Sequence, residues 1–178
     1  MIYVKFSSPI NPQAAQNLMN FLSQQINAGQ KEFYFLFSSM GGSVKDGVDI
    51  YNFIRALPAK IIMHNIGTID SIANVIFLSS NERYANPNSS FLFHGVGFDI
   101  TQPQRMEEKE LREKLVIIER DQGNIANIIA ERTKLAKEQI EEMFLRAKTK
   151  NPTEAKEVGI VTEIREATIP EGSQIISL

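Results

Sequence analysis

Residues 33–37 read Phe-Tyr-Phe-Leu-Phe, an aromatic-rich run that no charged or amide side chain interrupts. A strand with one wet face alternates apolar and polar residues. An unbroken run of this kind therefore belongs to a strand covered on both sides, as in a mostly parallel sheet flanked by helices. The next two segments of the chain agree with that assignment. Val44 to Ala56 places Val44, Val48, Tyr51, Phe53 and Ile54 roughly on one helical face and is closed by Pro58, and Lys60 to Ile66 reads as a second strand. Strand, helix and strand in that order imply βαβ units with right-handed crossovers.

The same alternation extends outward. Met1 to Phe6 is β-prone, and Asn11 is placed to cap a helix that begins with Pro12 and runs to about Ala28. Ala15, Leu18, Met19, Leu22 and Ile26 form its buried face. Ser71 to Leu78 is apolar enough for a helix inside the core, and Glu82 to Ala85 and Phe91 to Phe93 read as short strands joined through the turn Asn86-Pro87-Asn88. From Gln104 to Arg132 the character changes to a long, charge-laced helix with a stripe of Leu111, Leu115, Ile118, Ile125 and Ile128. Shorter helices are expected at Lys137 to Leu145 and near Thr153 to Glu157. Beyond them a strand is expected from Ile160 to Ile164, and then a final segment, Ala167 to Leu178, that forms an edge strand or a docked tail.

A chain of 178 residues with 43% hydrophobic content sustains one core, so residues 1–178 are read as a single domain. The net charge of −2 gives no basic field, and nucleic acid is not an expected partner. No apolar run approaches the roughly 20 residues of a membrane span, no secretory signal opens the sequence, and there are no cysteines. The expectation is a cytoplasmic protein with no membrane partner and no cofactor. Two histidines without cysteines or a tight carboxylate cluster make a metal site an unfavoured reading.

Three short segments carry candidate chemistry. Gly41-Gly42, after an apolar strand and before a helix, either makes a tight turn or points backbone amides at an oxyanion that no Cβ obstructs. Ser71 at the opening of the apolar helix is either an N-cap or a nucleophile, in which case the amide of Ile72 becomes a second oxyanion donor. His94, ending the strand Phe91-Leu92-Phe93, is either a core histidine or the general base for Ser71. His64, inside an apolar strand, reads as structural.

Together these segments resemble the proteolytic subunit of the Clp protease (ClpP). FLFSSMGGSVKDGVDIYNFIRAL is similar to that family's strand, Gly-Gly turn and helix. GTIDSIANVIFLSS resembles its nucleophile segment, and NERYANPNSSFLFHG its Arg-Tyr-Ala-x-Pro-Asn-Ser stretch ending in the catalytic histidine. FSSPINPQAAQNLMNFL and EAKEVGIV extend the likeness over nearly the whole chain. The resemblance implies an α/β fold, the ClpP/crotonase-like spiral of βαβ units with a projecting handle helix. A head of about 1–101 and 148–178 would carry a handle of about 102–147. It also implies a serine endopeptidase acting on peptides or unfolded proteins inside a homo-oligomeric chamber, with Ser71 and His94 catalytic and Gly41, Gly42 and Ile72 at the oxyanion hole. In the family the rings are heptamers stacked in pairs through the handle.

The chain departs from the family pattern at four places. Met40 replaces the proline of the turn, and Asp70 stands before the nucleophile where the family has a small residue. Counting back from Glu154-Ala155 puts Ala147 where the catalytic aspartate is expected, and no carboxylate lies between Glu142 and Glu154. A triad without its acid loses the group that fixes the imidazole tautomer. Asn151 is the best candidate for a third member, because an amide oxygen accepts a hydrogen bond although it brings no charge. Strand-like sequence begins at Met1, without the family's preceding pore segment, which leaves coupling to an ATPase unfoldase undetermined. Two other readings stand beside the peptidase: a non-catalytic ClpP-like ring subunit or scaffold, and a crotonase-like enzyme that binds acyl-CoA.

Overall fold

The computed structural model describes residues 1–97 and 105–178. Its frame is one eight-stranded sheet in the order β6-β5-β3-β2-β1-β8, with β4 and β7 branching from β3. The strands are β1 (Ile2–Ser7), β2 (Glu32–Ser39), β3 (Lys60–Asp70), β4 (Glu82–Ala85), β5 (Ser90–Phe93), β6 (Lys148–Lys150), β7 (Glu163–Ile164) and β8 (Ile175–Ser177). All pairings are parallel except that of β5 with β6. The aromatic run of β2 is buried from Phe33 to Phe37, as a central strand covered on both faces requires.

The helices are α1 (Pro12–Asn27), α2 (Val44–Ala56), α3 (Ala73–Phe77), α4 (Glu108–Arg132), α5 (Lys137–Arg146) and α6 (Pro152–Glu157). Local chemistry sets their starts. Asn11 accepts the amide of Ala14 at the head of α1, Ser43 accepts that of Asp46 at the head of α2, and Asn151 accepts that of Glu154 at the head of α6. Leu18 and Leu22 of α1 and Ile50 and Ile54 of α2 join Val4, Phe35 and Met63 in the main core. A smaller apolar group on the opposite face gathers Tyr3, Tyr34, Leu36 and Ile62.

β3 differs from its expected form. It continues four residues beyond Ile66, through Gly67 to Asp70, and changes partner on the way. Residues 62–65 pair with β4, whereas residues 68–70 pair with β5. Asn65 fills the fork: its Oδ1 accepts the amide of Gly67 and its Nδ2 donates to Ser90 O, both at 2.9 Å. On the other side the register between β2 and β3 slips after Phe37, and there the hydroxyl of Ser38 donates to Thr68 O at 3.1 Å. Side chains thus replace ladder bonds where the main chain cannot pair.

α4 starts at Glu108, and the expected helical start at Gln104 and head–handle boundary near 102 lie outside the described residues. Its second half packs through Ile125, Ala126 and Ile129, while Leu111, Leu115, Val116 and Ile117 in its first half stay exposed. Arg83 ties the far end of the helix down. Its guanidinium donates to Ser80 O, Arg132 O, Gly159 O and Ile160 O, and burial pushes its pKa down to about 10. The strand expected from Ile160 to Ile164 shrinks to β7, because the amides of Ile160 and Val161 turn back to Ala155 O. β6 leaves no mark in the sequence; three residues flanked by helices, two of them lysines, carry no apolar alternation to read.

Candidate active site

Ser71 occupies neither the first turn of a helix nor an N-cap. It is the junction between β3 and α3, with φ of +56°, one of two left-handed non-glycine residues among those described. Such a conformation costs about 1–3 kcal/mol and persists where its surroundings over-determine it. Here they do. The Ser71 amide donates to Leu92 O at 2.9 Å, and its carbonyl accepts from the amide of Asn74 at 3.1 Å. The turn ends β3 abruptly and leaves Ser71 half-buried at the carboxyl end of that strand.

Asn74 adds side-chain bonds to the same turn. Its Nδ2 lies 2.8 Å from Leu92 O, 3.1 Å from Ser71 O and 3.3 Å from Ile69 O. Sequence reasoning passed over this residue as part of an apolar helix. The available signal was one amide inside Ile72-Ala73-Asn74-Val75-Ile76-Phe77.

The glycine pair folds against this junction. A Cβ on Gly41 would sit 2.7 Å from Asp70 O and 2.8 Å from the Cβ of Ser71, and one on Gly42 would collide with Ile10 O. Both residues have φ in the left-handed region, +84° and +144°, so side chains are excluded by space and by backbone alike. The parallel bridge of Ile10 with Gly42 uses Gly41 O and the amide of Ser43. Gly42 is exposed and its own amide takes no part in that bridge. The amide of Gly41 donates to Ser39 Oγ at 3.2 Å. The amide of Ile72, next after Ser71, has no acceptor among the described residues. Among the described residues, then, the amides next after Gly41 and next after Ser71, those of Gly42 and Ile72, have no acceptor, and Gly41 and Ser71 pack against one another. At Gly42 opens a cleft of about 660 Å³, lined by Ile10, Gly42, Val44, Val96, Ile117 and Ile118 among others, between the glycine turn and α4.

His94 leaves β5 exposed, with Nδ1 2.8 Å from Gly95 O and no hydrogen bond to Ser71. The structure brings the two onto neighbouring strands without joining them. Phe91, Leu92 and Phe93 pair with Lys150, Thr149 and Lys148, so the next step of that antiparallel register sets Ala147 opposite His94. Ala147 is left-handed, φ +48°, as the C-cap of α5. Asn151 is exposed and its Oδ1 is occupied by the amide of Glu154 at 2.9 Å. Asp70 accepts the hydroxyl of Thr68 at 2.5 Å, which aims its carboxylate along β3.

The second histidine has a separate place. His64 is fully buried, with Nδ1 2.6 Å from Tyr34 Oη and Nε2 3.0 Å from Arg165 O. A carbonyl only accepts, so Nε2 carries the proton and Tyr34 donates to Nδ1. Desolvation by burial holds the imidazole pKa below its ordinary value and raises that of the Tyr34 phenol.

The forked, mostly parallel sheet with its flanking helices has the ClpP fold among α/β proteins. The chain belongs to the Clp protease family, whose model matches residues 2–168. It is 29% identical over 167 residues to ATP-dependent Clp protease proteolytic subunit 2 of Pseudomonas aeruginosa, an alignment that takes in 90% of this chain and 81% of that protein. With ATP-dependent Clp protease proteolytic subunit 3 of Rhizobium etli it shares 28% identity, over 88% of this chain and 79% of the other. Among solved structures a ClpP1 mutant from Listeria monocytogenes superposes with a TM-score of 0.78 at 25% identity, covering 93% of this chain and 91% of that one. Among the described residues no helix is long and apolar enough to cross a membrane.

Proposed function

We propose that this chain is a serine endopeptidase of the ClpP type, hydrolysing peptide bonds of peptides or unfolded proteins. Ser71 is the nucleophile and His94 the general base. The observation that carries this reading is the left-handed Ser71 beside the unused amides of Gly42 and Ile72. A capping serine has no need of that strain, whereas a nucleophile that must stand clear of the sheet does.

In the reaction His94 takes the hydroxyl proton as Ser71 Oγ attacks the scissile carbonyl, and the resulting oxyanion receives the amides of Gly42 and Ile72. His94 then protonates the leaving amine. Water, deprotonated by the same imidazole, hydrolyses the acyl-enzyme. Gly41 contributes by its missing side chain, and its amide joins the hole when released from Ser39. For the first step His94 must turn away from Gly95 O. Asn151 can take the third position by giving up its cap on α6.

The chamber is the proposed setting for this chemistry, built from copies of this chain through α4. Exposed Leu115 and Val116 on that helix support the assembly. A second reading, a ring subunit without activity, draws support from Ala147 opposite His94 and from the present orientation of the imidazole. A fluorophosphonate probe separates the two. Modification of Ser71 that is lost in Ser71→Ala and strongly slowed in His94→Ala is the expected result; a folded oligomer that takes up no probe would favour the inactive subunit.

A further inference from the structure

We infer that Asn74 is a positioning residue, whose side-chain amide clamps the turn of the nucleophile to the strand that delivers the histidine; the inference rests on the peptidase reading. Its Nδ2 is shared among the carbonyls of Ile69 and Ser71 on one segment and Leu92 on another, and Leu92 lies two residues before His94. Three surrounding carbonyls fix the orientation of the amide, since only the NH2 end can donate. The consequence falls on the other atom: Asn74 Oδ1 is buried with no hydrogen-bond partner among the described residues.

That orphan is informative. A residue that only filled space beside Val75 and Ile76 would serve better as a hydrophobe, because an unpaired buried carbonyl oxygen is costly. The position keeps an amide for what its donor end holds. Leu92 O already accepts the Ser71 amide and Ser71 O already accepts the Asn74 amide, so the backbone turn has its minimum of bonds without the side chain. What Nδ2 adds is a second tie to the same Leu92 carbonyl of β5, made from the α3 side of the turn and shared with Ser71 O and Ile69 O. With alanine at 147, no carboxylate among the described residues is bonded to the imidazole, and the geometry of His94 relative to Ser71 depends on how firmly β5 is held.

The experiment compares Asn74→Ala and Asn74→Ser with Ser79→Ala, a control equally deep in the fold whose hydroxyl bonds Ile76 O. Thermal unfolding establishes that each variant is folded. Labelling of Ser71 by a fluorophosphonate is resolved into affinity and inactivation rate constant, and hydrogen exchange is followed at the Ser71 amide. Asn74→Ala is expected to lower the rate constant about 10- to 100-fold with affinity unchanged, the scale of loss that small misplacements of reacting groups produce. It should also speed exchange at Ser71, with Asn74→Ser recovering part of both and Ser79→Ala moving neither. A folded Asn74→Ala with the wild-type rate constant and wild-type exchange overturns the clamp, and if that variant does not fold Asn74→Ser carries the comparison. Should the wild type itself resist the probe, the peptidase reading fails, and exchange at Ser71 alone decides the clamp.

Discussion

At the scale of single residues the site is unequal in its parts. Ser71 is held by bonds on both sides of its peptide, while the His94 imidazole is exposed and, among the described residues, bonded to its neighbour's carbonyl alone. On the proposed peptidase reading Ala147, one step beyond the last β5–β6 pair, stands where a carboxylate would steady that imidazole, and its φ of +48° suits aspartate better than alanine. Ala147→Asp is therefore expected to fold without added strain and to raise the labelling rate of Ser71 by about 10²-fold or more, within the roughly 10⁴-fold that an orienting carboxylate contributes in a well-characterised triad. Ala147→Asn should give a smaller gain. Rates equal to wild type in both would show that position 147 does not face the imidazole. The sequence made Ser71, His94 and the glycines legible through their order along the chain. It hid the turn itself, because Ser-Ile-Ala-Asn-Val-Ile reads as helix whether or not its first residue is left-handed; that conformation is imposed by Leu92 O and Gly41, which arrive from distant segments.

At the scale of elements, periodicity was a good guide wherever a helix or strand buries a whole face. α1, α2, β4 and β5 lie where their apolar spacing and caps put them. It failed for β6 and β7, which are too short to show a period and exist because β5 and β4 offer unpaired edges. The link between β2, β3 and the segment after β7 has its own signature in pH. Tyr34, Tyr84, Asn86, Arg165 and Glu163 surround His64, and burial keeps its folded pKa below the unfolded value of about 6.5. Below that pH the unfolded chain binds a proton that the folded chain refuses. Stability is thus full above about pH 6.5 and declines as pH falls from there toward the lower folded pKa. Urea midpoints measured from about pH 7.5 down to about pH 5 should fall in wild type, and the slope should flatten in His64→Gln. Equal slopes would place the pH dependence elsewhere.

For the whole molecule, the exposed apolar side chains of α4 are the surface on which the proposed assembly rests. Leu115 is 54% and Val116 63% exposed, Leu111 and Ile117 are exposed beside them, and Glu108 with Arg112 and Lys109 with Glu113 pair along the same helix. A double change of Leu115→Glu and Val116→Glu should leave the far-ultraviolet circular dichroism unaltered and shift the sedimentation coefficient to a smaller species. An unchanged assembly would move the interface off this helix. The forked course of β3 has a different consequence. A strand that serves β4 with one half and β5 with the other, while β2 runs along its opposite side, leaves no line along which the sheet divides into two self-sufficient pieces. A cut between β4 and β5 would leave the first fragment without a partner for the second half of β3 and the second fragment without β3 for its β5, so neither should fold alone, and the two are suited to regain structure only on mixing, as complementing halves.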